Sequence, residues 1–129
     1  MEDKIVITTD QAAGPFGGAP YSQAIVSNGF VFAAGQIGAA ADGSGLVADN
    51  VEAQTEQVMA NLTAILEAAG SSLGAVVKTT CFLSDLSNFG AFNEVYRKHF
   101  GEAFPARSTF GVSLPAGVLV EVEAVARVH

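Results

Sequence analysis

Hydrophobic and polar positions along the chain follow two different periods, and each change of period marks an element. Residues 5–9 and 24–27 are short runs rich in β-branched side chains, and Asn28-Gly29 separates the second run from residues 30–36. An Asn-Gly pair in that setting accepts the left-handed backbone of a two-residue turn, which predicts an antiparallel hairpin. After the ADGSG loop at 41–45, Val51, Val58, Leu62, Ile65, Leu66 and Ala69 recur at helical spacing. Asp49 with Glu52 three positions on supplies a capping-box start, and Gly70 a stop. Residues 76–85, VVKTTCFLSD, read as a strand. Asp85 or Ser87 then caps a helix whose Phe89, Phe92, Tyr96 and Phe100 form one stripe, ended by Gly101. Residues 108–113 and 118–128 close the chain as strands on either side of the turn-forming LPAG.

Together these elements predict one α/β (α+β) domain over residues 1–129: a mixed sheet of about six strands with two crossover helices on the same face. In the last strand Val118, Val120, Val122, Ala124, Ala126 and Val128 share a side, and Leu119, Glu121, Glu123, Val125 and Arg127 share the other. The strand at 30–36 is apolar on both sides. A strand of that kind is normally covered on both sides, and two helices cover only one. The second cover is expected to be another copy of the chain, in a closed homo-oligomer.

Composition narrows the function classes. The chain has 129 residues, half of them hydrophobic and 15% charged, with a mean hydropathy of +0.37, which excludes a disordered chain. Six Lys and Arg stand against thirteen Asp and Glu, a formal charge of −7, so no positive field exists to hold nucleic acid. One cysteine and two histidines provide neither an intrachain disulfide nor a zinc-ligand spacing, and no metal is expected. Residues 11–41 carry no charge, but Pro15, Pro20 and six glycines interrupt them, so no membrane span is expected. The acidic start MEDKIVITTD does not resemble a secretory signal, and a cytoplasmic location is the default.

Two groups of residues stand out chemically. Arg107 lies in FPARSTFGV with no adjacent carboxylate, where its guanidinium could clamp a substrate carboxylate or pair with Glu121 or Glu123. Those two glutamates sit inside a strand among valines. An ionised carboxylate there must be paired, with Lys78, Arg107 or Arg127, or else serve as a general base of raised pKa. The GPFGG string at 14–18 lacks the phosphate-loop pattern and reads as a loop. Cys81 reads as a core thiol, and His99 as a helix C-terminal residue interacting with carbonyls and the dipole. Ser22, Ser27 and Ser108 have no triad partners.

Four strings, APYSQAI (19–25), AAGQIG (33–38), VVKTTCFLSDLSNF (76–89) with FNEVY, and FPARSTFGV followed by VEVEAVA, resemble the Rid family of reactive intermediate deaminases. The resemblance spans nearly the whole chain. It implies a chorismate-mutase-like fold assembled as a homotrimer with clefts between subunits. It also implies cofactor-free hydrolysis of enamines and imines such as 2-aminoacrylate to a 2-keto acid and ammonia. By the same resemblance Arg107 binds the substrate carboxylate, Glu121 positions or activates water, and Tyr21 belongs to the catalytic set. Thr109, Asn93 and the backbone at Gly35 would line the cleft. Ala19, Ala34 and Gly38 depart from the usual glycine, serine and proline, and the connection from Arg107 to Glu121 is one residue short. A non-catalytic carboxylate sensor is the alternative function, and a ribonuclease is disfavoured by charge.

Overall fold

The computed structural model describes residues 3–129. In chain order the elements are β1 (Ile5–Ile7), β2 (Ala24–Ser27), β3 (Phe30–Ile37), α1 (Val51–Ala68), β4 (Val76–Leu83), α2 (Phe89–Phe100), β5 (Ala106–Gly111) and β6 (Val120–Arg127). The six strands form one mixed sheet in the order β1-β2-β3-β6-β4-β5. Only β4 and β5 run parallel, and α2 makes the crossover between them. The predicted hairpin joins β2 to β3, with Asn28 at φ 53° and Gly29 at φ 84°.

Both helices pack on one face, as the pattern predicts. Val31 and Ala33 of β3, Cys81 and Leu83 of β4, and Val120, Val122, Ala124 and Ala126 of β6 are buried there. Over them lie Val58, Leu62, Ile65 and Leu66 of α1 and the Phe92 and Tyr96 rings of α2, all buried. The opposite face has no cover within the chain. On it Phe32 is 47% and Phe110 51% exposed, with Phe110 stacked on Phe82 at 6.4 Å.

Two starts differ from the expectation. Asn50, not Asp49, caps α1: its extended backbone turns its Oδ1 to accept the Ala53 N–H at 2.8 Å. With the cap one residue later, the third helical position is Ala53 and the capping box does not form, while Glu52 still sits in the first turn. Asp85 accepts the Ser87 N–H, capping a single 3-10 turn at Leu86–Asn88 that leads into α2. β1 stops at Ile7 because the Gln23 amide takes over the backbone of Thr9, accepting its N–H and donating to its carbonyl.

Two glycine contacts fix the outline of the site. A Cβ on Gly38 would lie 2.7 Å from the Cα of Gln54, so glycine at this position lets the chain leaving β3 press against α1. The register of β3 on β6 slips between Ala33, opposite Ala124, and Gln36, opposite Val122. Ala34 and Gly35 therefore face a single residue, Glu123, and form a β-bulge.

Candidate functional site

The bulge changes which way β3 points. Ala33 and Gln36 both turn into the core, so Ala34 and Gly35 are left together at the uncovered side. Glu121 pairs with Ile37 across β3–β6, and its carboxylate lies over Gly35 so closely that an added Cβ there would fall 2.0 Å from Oε2. This carboxylate lines a cleft of about 330 Å³ together with Tyr21, Ala34, Gly35, Phe16 and Ile37. Burial, with the neighbouring Glu123 charge adding to it, pushes the Glu121 carboxyl above its ordinary value. Among the described residues the one ion pair is His99 with Glu56, so neither glutamate of the VEVEA strand is neutralised by a cation. Tyr21 accepts the Phe16 N–H through its phenol oxygen at 2.7 Å, which ties the Phe16–Gly18 turn to the rim.

Arg107 stands elsewhere. It pairs with Thr79 of β4, which in turn pairs with Ala124 of β6, both buried on the helix side. Its guanidinium donates to Asn93 Oδ1 at 2.9 Å and lies 4.9 Å from the Tyr96 ring centre, with Phe89 and Phe92 at 5.6 and 5.7 Å. Tyr96 is fixed in turn by a 2.7 Å hydrogen bond with Thr79, and its phenol is pushed up by burial. Stacked and singly hydrogen-bonded, the guanidinium keeps donors free toward a cavity of about 200 Å³ lined by Asn93, Tyr96, Arg97, Phe104 and Pro105. Thr109, two residues along β5, has a buried hydroxyl oxygen with no hydrogen-bond partner. Thus Glu121, Tyr21 and Gly35 share one cleft, Arg107 and Asn93 share another, and the sheet separates them within the chain.

Residues 12–128 match the family model described as Endoribonuclease L-PSP. Human 2-iminobutanoate/2-iminopropanoate deaminase is 41% identical over 122 residues, covering 94% of this chain and 88% of that one. The chain belongs to the Rid family. YyfA of Yersinia pestis, a structure described as one of the conserved Rid protein family, superposes with a TM-score of 0.91 at 44% identity over 98% of this chain and 100% of the other. E. coli TdcF, solved with bound serine, gives a TM-score of 0.89 at 36% identity, covering 97% and 99%.

Arg107 pairs with neither Glu121 nor Glu123, because they point to opposite sides of the sheet. Cys81 is fully buried, and desolvation pushes its thiol to about 11, as befits a core residue of this Rid fold. His99 does not serve the carbonyls of its own helix: its Nε2 meets Glu56 Oε1 of α1 at 2.7 Å. Gln54 supports the site without standing out in the sequence. Fully buried on α1, it donates to the carbonyls of Ala48 and Gly117 and accepts the Leu119 N–H, so it pins the turn that launches β6 and Glu121. The signal for it was an amide among the apolar positions of α1, as Asn61 is another, and nothing in the spacing distinguishes such an amide from a solvated one.

Proposed function

We propose that this Rid protein hydrolyses small 2-imino acids and their enamine tautomers, 2-aminoacrylate among them, to 2-keto acids and ammonia. The observation that carries the reading is the Glu121 carboxylate: unpaired, desolvated and seated on the Gly35 bulge at the wall of a cleft. A carboxylate of raised pKa is a competent base near neutral pH. It takes a proton from water as the oxygen bonds to the imine carbon and the nitrogen, as the C=N π bond opens, takes up a proton; the carbinolamine then collapses, its hydroxyl proton passing to the nitrogen as C=O forms and the C–N bond breaks, releasing ammonia. Arg107 supplies the other requirement, a guanidinium held by Asn93 and the aromatic rings of α2 with donors free for a carboxylate. Because one chain keeps the two groups apart, the reading includes a homotrimer in which Arg107 of the partner subunit reaches the Glu121 cleft. The uncovered face carrying Phe32 and Phe110 supports this assembly.

The test is pyruvate release while a pyridoxal-phosphate lyase generates 2-aminoacrylate. The protein is expected to accelerate release, and Arg107→Ala to lose nearly all of the acceleration while keeping its oligomeric mass. A variant as active as the wild type would overturn the reading, and tight binding of keto acids without turnover would favour a carboxylate-binding regulator.

A further inference from the structure

Arg107 is held in place without a counter-ion. Among the described residues no carboxylate pairs with its guanidinium, and its one side-chain hydrogen bond runs to the Asn93 amide oxygen at 2.9 Å. A neutral amide leaves the full positive charge available to an incoming anion, but it fixes only one corner of a planar fork on a long flexible stem. The plane needs a second support. Three rings stand around it, and they are not equivalent. Phe89 lies 5.6 Å away and is 42% exposed, at the start of α2. Phe92 lies 5.7 Å away, and Tyr96 is nearest, with its ring centre 4.9 Å from the guanidinium carbon. Tyr96 is itself locked. Phe92 and Phe100 flank its ring at 5.5 and 4.7 Å. Its hydroxyl shares a 2.7 Å hydrogen bond with Thr79 of β4, the residue that pairs with Arg107 across β4 and β5. Burial raises the phenol above its ordinary value, so it stays neutral and offers a ring face rather than a phenolate. The ring is 4% exposed, enclosed by its own chain, so these contacts do not depend on what covers the sheet.

Resting on the deaminase reading above, in which Arg107 receives the substrate carboxylate, we propose that Tyr96 is the positioning residue of that clamp: its ring face holds the plane of the Arg107 guanidinium by a cation–π contact, and Thr79 holds the ring. In this role Tyr96 need not touch the substrate. It keeps the free donors of Arg107 aimed at one place, so its loss weakens the hold on the carboxylate alike in the ground state and the transition state.

Calorimetric binding of pyruvate, the keto acid of the proposed reaction, reads the clamp without turnover. Tyr96→Leu is expected to weaken it by about tenfold at unchanged stoichiometry and oligomeric mass, whereas Tyr96→Phe, which keeps the ring, stays within about threefold of wild type. The kcat/KM for 2-aminoacrylate should fall by the same factor in each variant. A merely structural role would instead lower the stoichiometry, as sites are lost, and leave the affinity of the remaining sites alone. Phenylalanine bearing one, two or three ring fluorines at position 96 keeps the shape while draining the negative face of the ring, and pyruvate is expected to bind more weakly with each fluorine. This series decides the matter even where Tyr96→Leu does not fold. A flat fluorinated series, an equal loss in Tyr96→Phe and Tyr96→Leu, or stoichiometry lost at unchanged affinity overturns the inference. Wild type that binds pyruvate but leaves 2-aminoacrylate untouched overturns the deaminase reading, and the affinity series still decides the inference. Wild type that neither binds nor hydrolyses overturns both.

Discussion

At the scale of single residues, Glu121 combines a cost in stability with a chemical use. Its carboxyl is raised above the ordinary glutamate value by burial and then by Glu123, so the folded chain binds its proton more tightly than the unfolded chain does. The charged form therefore opposes folding at neutral pH, and that opposition shrinks as pH falls below the raised value and is gone below the ordinary carboxylate value. Glu121→Gln is expected to melt at a higher temperature than wild type at neutral pH, with the difference closing below the ordinary carboxylate range. Thermal denaturation across pH checks this, and a lower melting temperature at neutral pH would contradict it. The same substitution should abolish imine hydrolysis, and the acid limb of the wild-type kcat/KM profile should lie above the ordinary glutamate value. The identity of this residue was legible in the sequence because a charge between valines in a strand needs a reason. Its freedom from a cation was not legible, since Lys78, Arg107 and Arg127 are all within reach on paper: the faces of the sheet exclude only Arg107, while Lys78 and Arg127 share the glutamates' face and still form no ion pair with them.

At the scale of elements, the periodic segments were readable and the irregular ones were not. The stripe in α1, the hairpin at Asn28-Gly29 and the two-sided β6 follow from spacing alone, because burial on one side imposes the period. The bulge at Ala34 and Gly35 leaves no such mark, as small apolar residues fit either side of the pleat. Yet it is the bulge that turns Gly35 under Glu121, and a regular β3 would have sent Gln36 outward in its place. The short connection before β6 is likewise held by a device that spacing conceals. Gln54 makes three hydrogen bonds from a fully buried position, two of them to the turn at Gly117 and Leu119. Gln54→Leu keeps the volume but leaves those backbone groups without partners, at about 1–3 kcal/mol for each that water does not reach. The expected loss is about 3 kcal/mol, read as a lower urea midpoint at unchanged slope. An unaltered midpoint would show that the turn holds itself and that Glu121 is placed by the β6 ladder alone.

At the scale of the whole molecule, the two halves of the site pose a question of connectivity that subunit mixing answers. Arg107 sits beneath α2 on the edge strand β5, while Glu121 faces the uncovered side of β6, so a cleft holding both must draw them from different copies of the chain. Arg107→Ala and Glu121→Gln subunits are each expected to be inactive alone. When equal amounts are unfolded together and refolded, a cleft regains both groups only where a Glu121→Gln subunit supplies Arg107 and an Arg107→Ala subunit supplies Glu121. In a cyclic assembly with head-to-tail interfaces that pairing arises by chance at about a quarter of the clefts. Recovery near a quarter of wild-type turnover, at three times the chain's 13.2 kDa by light scattering, is the expected result. A site confined to one chain would recover nothing, since every chain in the mixture lacks one group. Placing a charge at Phe32, exposed on the uncovered face and apolar, should abolish both the assembly and the recovery, because a buried unpaired carboxylate at that interface outweighs what the apolar contact contributes.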